Sequence, residues 1–355
     1  MYRQHGPPTK RGWLFLGEQG GPCDKACSFC YYAFQPNLVF HDLETLMMIA
    51  NRFRHVYYLE ACDITGGEPT ILKGLVPLVR HCANIGLKPT IITHGQNNKR
   101  PLVEQVEDAG LDDWLVSMHG CKDSHDSLVL KHGGKSGDGG YDRLRNNLKN
   151  CTRPIRFNLT LTEANMRDLP EWARTLVGDY PATVANMINF NPFHEWSGKE
   201  RIEFQEKLTV LAPFVAEAVT ILEAGGWEAN VRYFPFCVAE PFGFAANCVN
   251  YYQTQHDPWE WCLAATGRRK KAEIATAGGI VNMRRLIIDN GQRRQRHTAC
   301  PPCQKCAVRT ICEGPTPQYI QRFGTDELAP YEGDKQHDPN WFMFREEEAA
   351  EGAVA

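Results

Sequence analysis

Cys23-Asp24-Lys25-Ala26-Cys27-Ser28-Phe29-Cys30 places three cysteines in C-x3-C-x2-C spacing. The apolar run Trp13–Leu16 precedes it, followed by Gly17, Gly20 and Gly21. That order reads as a strand feeding a glycine-rich loop. A short, flexible loop lets each sulfur reach a different iron of one cluster. Three thiolates are one fewer than four irons require. The remaining iron stays open, as catalytic metal sites keep a position vacant. Zinc is the competing reading of the loop. It would want a fourth ligand, and His41 is the nearest histidine along the chain.

Working outward, apolar strand-like runs recur at Tyr58–Ile64, Pro89–Thr93, Trp114–Met118, Ile155–Leu161 and Val184–Phe190. Segments of helical periodicity lie between them at Leu43–Phe53, Leu75–Asn84, Leu102–Ala109 and Leu169–Leu176. Alternation of this kind predicts an α/β fold with parallel strands. A long helix is expected over Lys199–Ala224, stopped by Gly225-Gly226, with a seventh strand at Ala229–Phe234. After Pro235 the sequence turns aromatic, irregular and cysteine-containing. There Ala272–Thr276 and Ile280–Ile288 flank Ala277-Gly278-Gly279, a β-hairpin pattern. The expected organisation is a first domain over 1–235, a cysteine-rich domain over 236–335 and a C-terminal tail over 336–355, whose acidic end Arg345–Ala355 is expected to fray.

At the end of the second strand stands Thr65-Gly66-Gly67-Glu68-Pro69. Glycines let backbone approach a ligand closely, and a carboxylate suits an ammonium. With the cysteine loop and the aromatic Tyr31-Tyr32 behind it, this turn resembles the radical S-adenosylmethionine (SAM) superfamily. The resemblance covers Trp13–Phe234. It implies a partial (βα)6 TIM-like barrel and a catalytic [4Fe–4S] cluster on Cys23, Cys27 and Cys30. It also implies SAM chelated at the open iron and a 5′-deoxyadenosyl radical from one-electron cleavage of the sulfonium. Gly66, Gly67, Glu68 and Pro69 would hold the SAM amino group. Ser117, in Ser117-Met118-His119-Gly120, matches the position where family members contact the ribose. Arg156 and Asn158 lie on strand five, where an arginine often meets the SAM carboxylate. Asn191, just past strand six, is a further candidate SAM contact, and His94, His119 and Asn189 stand at other strand ends. In parallel α/β barrels the active site lies at the C-terminal ends of the strands.

A second group, Cys303-x2-Cys306-x5-Cys312, follows Cys300-Pro301-Pro302. With Cys262 and the hairpin before it, this resembles the SPASM and twitch extensions, which carry auxiliary iron–sulfur clusters. No cysteine follows Cys312, so the resemblance implies one auxiliary cluster and two [4Fe–4S] clusters in all. Its fourth ligand would be Cys262, with Cys300 as the alternative. A structural zinc ribbon is the other use of four such cysteines. Cys237, at the expected end of strand seven and far along the chain from both groups, is a candidate hydrogen-atom donor to a substrate radical. A small buried side chain is its plainer reading.

Fourteen cysteines in 355 residues call for explanation. The first residues lack the apolar core of an export signal, so a reducing cytoplasm and metal or redox chemistry are expected rather than disulfides. No apolar run approaches bilayer-spanning length. A net charge of −3 argues against a chain whose main task is gripping nucleic acid. Two basic stretches, Arg268-Arg269-Lys270-Lys271 and Arg293-Arg294-Gln295-Arg296, keep an RNA-modifying role as an alternative. No peptide-binding module is recognisable before the first strand. That favours oxidation or epimerisation of a small-molecule biosynthetic intermediate over a ribosomal-peptide substrate. Tyr251, Tyr252, Trp259 and Trp261 could line its pocket. The resemblance implies an electron donor such as a flavodoxin or ferredoxin. A non-catalytic iron–sulfur scaffold would have no need of the Gly66–Glu68 turn.

Overall fold

The structure is a computed structural model. It describes residues 11–17, 21–30, 38–56, 58–131, 140–190, 202–248, 300–312, 314–337 and 341–342. The expected hairpin, Cys262, Asn191, the aromatic run 251–261, both basic stretches and the acidic stretch 345–355 lie outside the described residues. Two compact units are present, dividing inside the fifth strand: one runs to Leu159, the other takes up from Thr160. Pro235 caps a short helix, Phe236–Ala239, of the second unit.

Seven strands occur among the described residues: β1 (Arg11–Phe15), β2 (Ala61–Thr65), β3 (Lys88–Thr93), β4 (Asp113–Ser117), β5 (Ile155–Leu161), β6 (Val184–Asn189) and β7 (Glu228–Arg232). Their order in the sheet follows the chain. In the first unit β1 to β5 pair in parallel, with Leu14 opposite Ile64, Ile64 opposite Ile91, Ile91 opposite Trp114 and Val116 opposite Phe157. These side chains are buried, and such strands read as nearly continuous apolar runs because helices cover the sheet. The helices are α1 (Leu43–His55), α2 (Leu75–Asn84), α3 (Arg100–Asp108), α4 (Lys122–Leu128) and α5 (Gly140–Leu148). Asp42 starts α1 by accepting the Thr45 N–H at 2.7 Å. Leu46, Ile49, Ala50 and Phe53 then form its buried stripe.

A polar layer crosses this unit near the N-terminal halves of the strands. Arg11 donates to Asp63 (2.5 Å) and to Thr90 (2.8 Å). Thr90 donates to Asp113. Arg156 grips both oxygens of Asp113, Nε to Oδ2 at 2.5 Å and Nη2 to Oδ1 at 3.0 Å. Burial pushes the Asp113 carboxyl up, and the Arg156 and Arg11 guanidinium groups outweigh it, leaving the carboxyl below its ordinary value.

In the second unit β6 and β7 pair in parallel, Met187 opposite Val231. The Phe190 N–H donates to the Leu161 carbonyl at the end of β5 (2.9 Å). Helices α6 (Leu169–Asp179) and α7 (Leu208–Ala224) pack on one another, burying Trp172, Leu176, Leu211, Val215 and Leu222. The long helix expected from Lys199 starts at Leu208 instead. Lys207 is extended, and the preceding described turn, Ile202–Phe204, is a separate 3₁₀ turn. The cause is visible in its first amides. Leu208 N–H donates to the Tyr319 hydroxyl (2.8 Å) and Thr209 N–H to Glu327 Oε2 (3.1 Å). Both donors would otherwise go unsatisfied at a helix start. The chain continues through α8 (Phe236–Ala239), α9 (Pro301–Lys305) and α10 (Pro317–Phe323). No helix among the described residues is long and apolar enough to cross a membrane.

Candidate functional site

In the first unit the Cys23–Cys30 loop is pinned from two sides. On one side it meets the turn after β2, where Glu68 N–H donates to the Pro22 carbonyl (2.9 Å). Gly66 and Gly67 both take positive φ, 93° and 73°. A Cβ on Gly67 would stand 2.1 Å from the Pro22 oxygen and 2.5 Å from that of Gly21. The glycine pair is therefore demanded by close approach of the two loops as much as by conformation. On the other side Ala26 and Ser28 N–H groups donate to Leu130 and Leu128 carbonyls (2.7 and 2.9 Å) at and just past the end of α4. The three thiols are half-buried and outside any disulfide. Burial, first of all, raises the Cys23 and Cys27 thiols above their ordinary value, and the nearness of the sulfurs to one another adds to it. Lys25 N–H donates to Cys23 Sγ (3.4 Å).

Glu68 is buried beneath this loop. Its Oε1 accepts from Thr70 N (3.1 Å), Thr70 Oγ1 (2.5 Å) and Thr93 Oγ1 (2.6 Å), and its Oε2 accepts from His94 N (3.0 Å). The carboxylate thus ties the β2 turn to the end of β3. His94 Nε2 contacts Asp24 Oδ1 at 2.8 Å and Glu68 Oε2 at 3.3 Å. Burial disfavours the charged imidazole, yet Glu68 and Asp24 together raise it. Burial likewise raises the Asp24 carboxyl, and His94 reverses that, bringing it down to about 2. Cys23, Asp24 and His94 form the only three-residue group among the described residues with ligand atoms all within 4.8 Å of one another.

Ser117 ends β4 opposite Asn158. Beside it His119 is buried, its ring edge on Phe29 (centroids 4.7 Å) and stacked at 6.0 Å on His125. Burial and then His125 lower the His119 ring to about 3, so it is neutral. Arg156 is a correction. It lies one residue into β5, with its guanidinium held by Asp113 and Thr90 (3.1 Å) in the polar layer, away from the C-terminal strand ends. Sequence reasoning took it from strand number alone. Two residues it missed are Asp24, visible between the cysteines, and Gln96. Gln96 is buried after β3 with both amide atoms lacking a hydrogen-bond partner, for which the sequence held no signal.

In the second unit, C-x2-C-x5-C is wound on α9 and the turns after it. Cys300 precedes the helix, Pro301 and Pro302 occupy its first turn, and Cys306 ends it. Cys306 N–H returns to Cys303 O (3.2 Å) and Cys312 N–H to Val308 O (2.9 Å). Val308 and Ile311 anchor the turns in the core. Cys237, on α8, lines one recess together with Cys303, Cys306 and Cys312. Its expected isolation from both cysteine groups is therefore corrected. Cys62, Cys82 and Cys248 are buried core side chains. Asn189 donates to the Tyr233 carbonyl (3.2 Å).

Residues 20–174 match the family model described as the radical SAM superfamily. The chain carries a radical SAM domain. Radical SAM proteins use a [4Fe–4S] cluster and SAM, and the half-buried thiols of Cys23, Cys27 and Cys30 fit such a cluster's donor set. The chain is similar to a probable GTP 3′,8-cyclase of Sulfurisphaera tokodaii, 24% identical over 251 residues, covering 68% of this chain and 78% of that protein. A PqqA peptide cyclase of Methylocella silvestris is 30% identical over 110 residues, covering 29% of this chain and 28% of that protein. Streptococcus suis SuiB superposes with a TM-score of 0.51 at 16% identity, over 72% of this chain and 56% of SuiB. The chain thus spans about half of SuiB's length, and that likeness is one of fold: the α/β architecture of radical SAM proteins.

Proposed function

We propose that this protein is an enzyme that cleaves SAM reductively at the Cys23–Cys30 loop and abstracts a hydrogen atom from a small-molecule substrate. The observation that carries this reading is the interlock of the cysteine loop with the Gly66–Gly67 turn, sealed by Glu68 N–H on the Pro22 carbonyl. When bound, the cluster and SAM supply one-electron cleavage of the sulfonium to methionine and a 5′-deoxyadenosyl radical that takes a substrate hydrogen. The chain's own part is to hold and orient. Cys23, Cys27 and Cys30 bind the iron, and Gly66, Gly67 and Pro69 shape the turn that receives the SAM amino group. Glu68 stiffens that turn from below, and Ser117 is assigned to the ribose. Asn191 stays assigned to SAM by its place after β6.

The small-molecule reading draws support from the GTP 3′,8-cyclase relative, which spans far more of this chain than the PqqA peptide cyclase does. The peptide match supports a ribosomal-peptide substrate as the second reading. Oxidation is favoured over epimerisation, since Cys237 lies among the C-terminal cysteines. Cys303, Cys306 and Cys312 are assigned to a second iron–sulfur cluster suited to accept an electron. The test is anaerobic reconstitution, reduction with dithionite and quantification of 5′-deoxyadenosine. Deuterium transfer from labelled candidates would then identify the substrate. A fully loaded, reduced protein that forms no 5′-deoxyadenosine would sink the proposal in favour of a scaffold.

A further inference from the structure

The recess lined by Cys237, Cys303, Cys306 and Cys312 is completed by Pro235, Pro302, Val308, Leu328 and Pro330, with Arg309 at its edge. It is partly open to solvent. Its walls are otherwise apolar, so the four sulfurs are its chemistry.

The sulfurs are acceptors. Cys237 Sγ takes the Ala329 N–H, and Cys312 Sγ takes the N–H groups of Phe236 and Gly314 (the latter at 3.4 Å). Cys306 Sγ takes the Tyr331 N–H at 3.4 Å. Thus three of the four are met by backbone donors, two of them from the single stretch Ala329–Tyr331. A donor aimed at sulfur stabilises a thiolate and is the usual environment of cluster sulfurs. It does nothing for a thiol that must give up a hydrogen atom.

Spacing chooses the cation. Tetrahedral zinc, with Zn–S near 2.3 Å, would draw its sulfurs to about 3.8 Å of one another. No three of these four sulfurs come within 4.8 Å of one another, since among the described residues only Cys23, Asp24 and His94 do so. The wider setting suits a cluster in which each thiolate takes its own iron. Cys300, by contrast, hydrogen-bonds with Cys303 and does not line the recess.

We infer that Cys237, Cys303, Cys306 and Cys312 together ligate one four-iron cluster, with Cys237 as its fourth ligand. The inference rests on the assignment of the C-terminal cysteines to iron–sulfur chemistry, and it is independent of SAM cleavage. The site is closed, with one protein thiolate for every iron. It therefore serves electron transfer rather than anchoring of substrate.

The test uses the full chain with Cys23, Cys27 and Cys30 all changed to alanine, reconstituted anaerobically with iron and sulfide. About four irons and four sulfides per chain are expected in this background. Adding Cys237→Ala should reduce both at least twofold, while adding Cys262→Ala or Cys300→Ala should leave both unchanged. Cys237→Ser, which keeps an oxygen ligand and the side-chain volume, should retain iron but shift the electron paramagnetic resonance signal of the reduced cluster. An unchanged signal in Cys237→Ser together with full iron in Cys237→Ala would overturn the assignment. So would loss of iron on changing Cys262 or Cys300 alone. Zinc without sulfide in the triple variant would overturn the cluster itself, and with it the reading on which this rests.

Discussion

Cys23, Cys27 and Cys30 lie on a loop gripped between the β2 turn and the end of α4. Cys303, Cys306 and Cys312 lie on α9 and the turns after it, and line one recess with a cysteine from α8. The first region gathers three thiols beside a carboxylate–imidazole pair, Asp24 and His94. The second gathers four in an apolar recess, with backbone N–H groups aimed at sulfur. The difference teaches how one ligand type serves two ends. A missing ligand and nearby charge suit a place where something polar must bind. A full ligand set and apolar walls suit a place where only an electron need pass.

The largest effects should separate the regions cleanly. Changing Cys23, Cys27 and Cys30 to alanine should abolish 5′-deoxyadenosine formation while the C-terminal iron survives, as measured by chromatography and iron analysis. If both were lost together, the two regions would not be the independent sites drawn above. Next in size is the scaffold under the first region. Asp113→Asn leaves Arg156 without its carboxylate partner, while Arg11 keeps Asp63. The pair is only part-buried, and losing its charged hydrogen bonds should cost about 1–3 kcal/mol, readable by denaturant unfolding with C-terminal iron unchanged. The pH dependence has a fixed sign. The folded Asp113 carboxyl lies below its ordinary 3.8, so its stabilisation is complete above that value. It is lost as pH falls through the lowered one. The native protein should therefore lose stability on acidification below about pH 4 more steeply than Asp113→Asn.

A change of similar size falls on the interlock. Gly67→Ala forces a Cβ onto the Pro22 oxygen at positive φ and should cost about 1–3 kcal/mol. Its loss of SAM cleavage should exceed what that destabilisation explains, checked by turnover per iron loaded. Smallest is Glu327→Gln in the second region, which weakens the cap on Thr209 by about 1 kcal/mol. Thermal unfolding would detect it, and turnover should be untouched.

Much of the architecture was legible because its signals are local. Strand runs such as Trp114–Met118 are apolar on both faces, and Leu75–Asn84 coincides with a helix as it was read. The cysteine loop and the Gly66–Glu68 turn were legible for the same reason. What misled was distance. The start of α7 is decided by Tyr319 and Glu327, more than a hundred residues on. Arg156 shares its strand with the site but not its end, and only the register against Asp113's neighbours shows this. Cys237 seemed solitary because the chain between it and Cys303 is long, whereas the fold brings them to one recess.

That start of α7 has a consequence for how the protein matures. Tyr319 and Glu327 come from the stretch between Cys312 and the Ala329–Tyr331 donors, and Tyr319 also hydrogen-bonds with Glu327. Whatever orders the C-terminal cysteines thereby orders the first turn of a seventeen-residue helix that contains none. Iron starvation should then be felt as a mechanical slackening far from the metal. Protease cuts near residue 208 would appear before any near β6 or β7, so limited proteolysis could report cluster occupancy without a spectrometer.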